Sequence, residues 1–138
     1  MAADSDSPIL YLLLGIAVLV TAVVHLEFIP AYFPDDPARA APFLVVGWFT
    51  FGVAFYAMGR LFSTPGSLPS MRGGDVGTAL FLLSLLAAAG LDTLGFTPDA
   101  VLVAYVPPAI GIYAGLALLG WAVGKRTKAI NRMAHERA

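Results

Sequence analysis

Three ionisable side chains interrupt apolar stretches of this sequence. His25 and Glu27 lie close to the end of the first stretch, and Asp92 lies close to the end of the third. A histidine and a carboxylate that meet can share a proton, bind a metal ion or hold a small polar ligand. These three residues are therefore the candidates for a ligand-binding site, provided that the elements carrying them converge.

The composition identifies those elements as membrane-spanning helices. Of the 138 residues, 59% are hydrophobic and 12% are charged, whereas a soluble domain is about 45 to 50% apolar and about 25% charged. About 20 consecutive apolar residues cross a bilayer as a helix. The sequence predicts a single all-α membrane domain over residues 1–138, a four-helix bundle followed by a basic tail at 125–138. The predicted spans are 9–29, 43–62, 76–96 and 100–124.

The basic residues predict the orientation of the four spans. Seven of the eight lie on one side, six of them in the second loop or the tail and Arg60 at the adjoining end of the second span, whereas Arg39 lies in the first loop. Because cytoplasmic loops carry the excess of Lys and Arg, both termini are predicted to be cytoplasmic in a multi-pass protein of the cell membrane. Asp4 and Asp6 precede the first span where a cleaved leader would carry basic residues, so we expect that span to be retained.

With this topology the first and third spans both run outward. At about 1.5 Å per residue, His25 and Asp92 each lie roughly 24 Å into their spans, just short of the outer boundary. One interpretation is an outward-facing polar pocket in which the two side chains meet and Glu27 assists. The alternative is that each side chain simply contacts headgroups and water, since the cost of an ionisable group falls near the interface.

The fourth span carries two G-x-x-x-G motifs, formed by Gly111 with Gly115 and by Gly120 with Gly124. Small residues at this spacing allow another helix to approach closely. That helix could belong to the same bundle or to a second copy of the chain. The same span contains Pro107 and Pro108, which predict a kink.

The residue inventory argues against several kinds of chemistry. The chain has no cysteine, only one of its two histidines lies in a span, and no span contains a lysine. Cysteine-based metal sites, bis-histidine haem and a retinal-type Schiff base therefore lack their ligands or attachment points. Neither a phosphate-binding glycine motif nor a recognised nucleophile pattern occurs. We expect no catalytic residues, no metal and no cofactor.

The stretch Thr21-Ala-Val-Val-His25-Leu-Glu27-Phe, followed by a proline-rich loop and a Phe/Gly-rich second span, resembles small four-helix prokaryotic membrane proteins of the DoxX-like kind. The resemblance covers about a third of the chain. It implies a compact bundle, sometimes linked to respiratory or quinone-dependent partners. His25 is the functional candidate that it carries over.

Two functional interpretations follow from these features. The first is a non-catalytic accessory or partner-binding subunit, embedded in the lipid bilayer as a homo-oligomer or in a larger membrane complex. The second is a small-molecule or ion binding or transport unit that uses an outward-facing pocket at His25 and Asp92. A membrane enzyme has less support than either, because no nucleophile or metal set accompanies these residues. Nucleic acid is not an expected partner, since the basic tail is typical of a topology anchor.

Overall fold

The computed structural model describes residues 7–138, which form helices, turns and loops without any strand. Asp4 and Asp6 lie outside the described residues. The prediction of an all-α fold with four long helices is confirmed, and each helix is long and apolar enough to cross a membrane. The helices are α1 (Ser7–Val23, continued by a π-helical turn at Val24–Phe28), α2 (Pro37–Phe62), α3 (Arg72–Thr93) and α4 (Val106–Arg137, preceded by a 3₁₀ turn at Leu102–Tyr105).

The four helices pack in the order α1, α2, α4, α3. Among the described residues, α4 contacts both α2 and α3 extensively, and α2 also contacts α1. The helices that carry His25 and Asp92 therefore lie on opposite flanks of the central pair. The bundle has a pocket end, where α1 and α3 finish and α4 begins, and a tail end, where α4 finishes.

Small residues form the interior of the bundle, and large apolar residues cover its outside. In α2 the buried positions are Ala40, Gly47, Ala54, Ala57 and Gly59. By contrast, Phe49 is 71% exposed on the same helix. This pattern is the reverse of a soluble core, and it is what helices packed in lipid show, because lipid tails solvate the large apolar side chains.

The second helix begins at Pro37, six residues before the predicted start at 43. Asp36 caps it by accepting a hydrogen bond from the Arg39 backbone N–H at 3.2 Å, and Pro37 occupies the first turn, where its missing N–H costs nothing. Pro42 lies inside the helix instead of ending a loop. The cluster of prolines therefore concealed the helix start.

The third helix begins at Arg72 and ends at Thr93, whereas the predicted span was 76–96. Gly95 terminates it with a φ of +90°, a conformation that favours glycine. The N–H of Phe96 donates to the carbonyl of Leu91 at 2.9 Å, and the N–H of Gly95 donates to the carbonyl of Asp92 at 3.0 Å. This arrangement is a Schellman motif, and it holds the Asp92 backbone in the last turn of α3.

The fourth helix differs most from its prediction. Pro107 and Pro108 lie in its first turn, so the predicted kink is wrong: the first four N–H groups of a helix have no partner inside it, and proline removes nothing there. The helix does not stop at Gly124 but continues to Arg137. The basic tail is therefore an extension of α4 beyond the apolar span.

Candidate functional site

His25 lies in the π-helical turn Val24–Phe28 and contacts α4 across the bundle. Its Nδ1 donates to the Thr21 carbonyl at 2.8 Å, and because a carbonyl can only accept, this nitrogen carries the proton. In the neutral ring Nε2 is then an acceptor, so the Tyr113 hydroxyl donates to it at 2.5 Å. Both ring nitrogens of His25 are thus occupied.

The room for the imidazole is provided by a glycine on α2. A Cβ placed at Gly47 would lie 2.7 Å from His25 Cε1 and 3.2 Å from Nδ1. Any other residue at that position would displace the ring. The π-helical turn and Gly47 therefore act together to seat His25 between α2 and α4; such turns are frequent at functional sites.

Further polar groups extend this contact into what we term the histidine cluster, defined as Thr21, His25, Thr50 and Tyr113. The Thr21 hydroxyl donates to the Thr50 hydroxyl at 2.8 Å, which links α1 to α2. The Tyr113 ring also makes edge contacts with the rings of Phe51 and His25, at centroid distances of 5.1 and 5.4 Å. The cluster joins three helices through hydrogen bonds in an otherwise apolar layer.

The structure does not bring His25 and Asp92 together. The two nitrogens of His25 pair with Thr21 and Tyr113, and the exposed Asp92 side chain forms no hydrogen bond or ion pair with any other described residue. Glu27 is also exposed, and it does not line the cavity that contains Asp92. Sequence reasoning missed Tyr113, although a hydroxyl inside an apolar span was a usable signal, since buried polar groups need partners.

A cavity of about 570 Å³ opens at the pocket end, and Asp92 lies in its wall. This volume is in the range of small-molecule sites, which run from about 300 to about 1,000 Å³. The walls come from the α1–α2 loop, α2, α3 and the beginning of α4, and they are largely apolar. The lining residues include four aromatic side chains, one carboxylate and one alanine of α3, namely Phe33, Trp48, Tyr105, Tyr113, Asp92 and Ala88.

The hydroxyl groups in this pocket are engaged within the chain. The Tyr105 hydroxyl donates to the Phe96 carbonyl at 2.7 Å, and the Tyr113 hydroxyl donates to His25. The indole N–H of Trp48 is buried and has no hydrogen-bond partner among the described residues. Asp92 is consequently the charged group of the pocket wall, and its carboxylate is uncompensated among the described residues.

The glycines of the G-x-x-x-G motifs lie at contacts inside the chain. A Cβ at Gly115 would lie 2.5 Å from the Gly77 carbonyl oxygen of α3, and one at Gly111 would overlap the Ser84 hydroxyl. Gly120 and Gly124 pack instead against the backbone of α2. The two motifs therefore use two faces of α4, one packed against α3 and the other against α2.

The basic residues of the α4 extension bind backbone carbonyls. Lys128 Nζ donates to the carbonyls of Leu61 at 3.2 Å and Ser63 at 2.6 Å, at the carboxyl end of α2. Arg126 donates to the Pro69 carbonyl at 2.8 Å, and Arg132 donates to the Pro65 carbonyl at 3.2 Å. The extension thus holds the α2–α3 loop, in addition to any role in setting the orientation of the protein.

No protein-family model matches this chain, and neither a curated protein nor a solved structure matches it. The resemblance to DoxX-like proteins around His25 stays a prediction.

Proposed function

We propose that this chain is a multi-pass protein of the prokaryotic cell membrane that binds a small, largely apolar molecule in the cavity at the pocket end. The observation that carries the proposal is a cavity of about 570 Å³ with apolar walls, built by α2, α3, α4 and the α1–α2 loop, in a chain with four potential membrane helices. Of the two functions that the sequence suggests, this geometry favours the binding unit. The accessory-subunit function and the homo-oligomer stay predictions.

The orientation is part of the proposal. Both termini are cytoplasmic, so the pocket end faces outward, near the level of the headgroups. The support is the segregation of Lys and Arg toward the tail end and the α2–α3 loop, together with the large apolar side chains exposed around the helices. A ligand can then reach the cavity from the outer leaflet or from the external solution.

Cysteine labelling tests the orientation without background, because the native chain contains no cysteine. Asp35→Cys and Ser67→Cys place thiols at exposed positions of the first and second loops. In intact cells an impermeant maleimide should react with the first variant only, and both should react after lysis. Reaction of Ser67→Cys alone would invert the orientation.

A matched pair of substitutions on α3 tests the binding of a ligand. Ala88 lines the cavity, whereas its neighbour Ala89 is exposed on the outside of the helix. Ala88→Phe should fill part of the cavity, and Ala89→Phe should leave it open. The background is Trp121→Phe, which makes Trp48 the single tryptophan of the protein.

The readout is quenching of Trp48 fluorescence by 1-bromo-4-neopentylbenzene, a neutral apolar probe, with the protein in phosphatidylcholine nanodiscs. Saturable quenching is expected in the parent and in Ala89→Phe, with at least about fivefold weaker affinity in Ala88→Phe. Quenching that rises linearly and equally in all three proteins would show that the probe only partitions into lipid. The proposed binding function would then be wrong.

A further inference from the structure

We propose that the molecule bound in this pocket is a lipophilic organic cation, such as an amine or quaternary ammonium with an apolar body, and that Asp92 is its counter-charge. The inference rests on the proposed binding function and names the class of its ligand. It follows from three observations: the uncompensated carboxylate, the charges around the pocket end, and the aromatic walls.

The first observation is that the pocket supplies a negative charge with no cation of its own. The side chains that line it include no lysine, arginine or histidine. Arg39, a cation of the neighbouring loop, is already paired with Asp36 at 3.4 Å. An anionic ligand would be repelled by Asp92, whereas a cationic ligand would gain an attraction to its carboxylate that a neutral ligand lacks.

The second observation is the charge distribution around the mouth. Asp92 lies in the cavity wall, and the exposed Asp99 directly follows Pro98, another wall residue. Asp35 and Glu27 are exposed at the same end. An excess of negative charge around a cavity raises the local concentration of cations, so cations are favoured at this end of the bundle.

The third observation is the chemistry of the walls. Phe33, Trp48, Tyr105 and Tyr113 line the cavity, and the faces of aromatic rings attract ammonium groups. The hydroxyls of Tyr105 and Tyr113 already donate their hydrogens within the chain. The walls therefore suit an alkylated cation, which needs charge and apolar contact, and the indole N–H of Trp48 is the lining side-chain donor that has no partner among the described residues.

An isosteric pair of probes tests the inference. The 4-bromobenzyl-trimethylammonium cation has nearly the shape of 1-bromo-4-neopentylbenzene, since trimethylammonium and tert-butyl groups are similar in size. Both carry the bromine that quenches Trp48. Titrations in the Trp121→Phe background use nanodiscs of phosphatidylcholine alone, so that the lipid surface has no net charge to attract the cation.

Asp92→Asn should lower the affinity for the cation by at least about fivefold while leaving the neutral probe unchanged. Glu27→Gln removes an equal charge from the same end but outside the pocket wall, and it should change the affinity for the cation less than twofold. Unchanged binding of the neutral probe shows that the Asp92→Asn protein is folded and its cavity intact.

The outcomes separate the two proposals. If the neutral probe binds saturably but Asp92→Asn does not weaken the cation, or weakens it no more than Glu27→Gln does, the cation inference is wrong and the binding function stands. In that case Asp92 only meets water and headgroups. If neither probe quenches saturably, the binding function itself is wrong.

Discussion

Toward the tail end of the bundle the backbone of α4 touches the backbones of both α2 and α3, whereas at the pocket end the same helices separate around a cavity of about 570 Å³. The contact at the tail end depends on glycine: a Cβ at Gly59 would lie 2.6 Å from the Trp121 carbonyl oxygen of α4. Toward the pocket end, α4 instead presents Tyr113 and Ile112, whose side chains line the cavity.

This difference assigns separate tasks to the two halves of α4. In a membrane, helices associate through close packing and interhelical hydrogen bonds, because lipid supplies no hydrophobic driving force between them. The tail-end half provides that packing. The pocket-end half can then leave a cavity open, with the hydrogen bonds of the histidine cluster holding α1 and α4 in place.

The largest effect is expected from Gly115→Leu, which attacks the packed half. Its Cβ would lie 2.5 and 2.7 Å from backbone atoms of α3. Because these are backbone atoms and not flexible side chains, α3 and α4 would have to move apart. We expect a loss of about 3 kcal/mol or more, or no folded protein. Thermal unfolding in mild detergent, with size-exclusion chromatography, measures it.

A matched control is available on α3. A Cβ at Gly90 meets nothing within 4 Å, so Gly90→Leu should change stability by less than about 1 kcal/mol. Leu118→Ala, at a position that is 43% exposed, should likewise be mild. Equal destabilisation by Gly115→Leu and Gly90→Leu would mean that the glycine contacts do not hold the bundle together.

A smaller effect is expected from Lys128→Met, which keeps an apolar stem but removes the ammonium that binds the Leu61 and Ser63 carbonyls. Hydrogen bonds to a charged donor contribute about 1.5 to 3 kcal/mol. We expect a loss of about 2 kcal/mol and faster amide hydrogen exchange in the α2–α3 loop. Lys125→Met, which removes an equal charge one turn earlier, should leave that exchange unchanged.

The sequence predicted the number and type of the helices because four apolar stretches stand out from everything around them. Their ends were less predictable. Pro37 and Pro42 suggested a loop, yet one starts a helix and the other is tolerated within it. Pro107 suggested a kink, yet it lies in a first turn. In each case the position of proline relative to the helix start decides its effect, and the sequence alone does not fix that position.

The site was less predictable than the fold for a geometric reason. Helical spacing indicates which residues share a face, but it does not say which helix that face meets. His25 and Asp92 do approach the same end, as predicted, but α2 and α4 lie between their helices. The partner of His25 is therefore Tyr113, which stood inside a motif interpreted only as a packing signal.

The smallest and most specific effect concerns that partnership. His25→Ala leaves the Tyr113 hydroxyl without its acceptor, and Tyr113→Phe leaves His25 Nε2 without its donor, so each should destabilise the bundle by about 1 to 2 kcal/mol. The double variant has neither orphaned group and should cost about 1 kcal/mol less than the sum of the two single variants.

The control is the pair His25→Ala and Asp92→Ala, which should be additive within about 0.5 kcal/mol because the two residues share no contact. Thermal unfolding of the variants in one detergent measures both cycles. Coupling in the His25 and Asp92 cycle, with none between His25 and Tyr113, would place α1 beside α3 and would overturn the helix order on which the separation of pocket and histidine cluster rests.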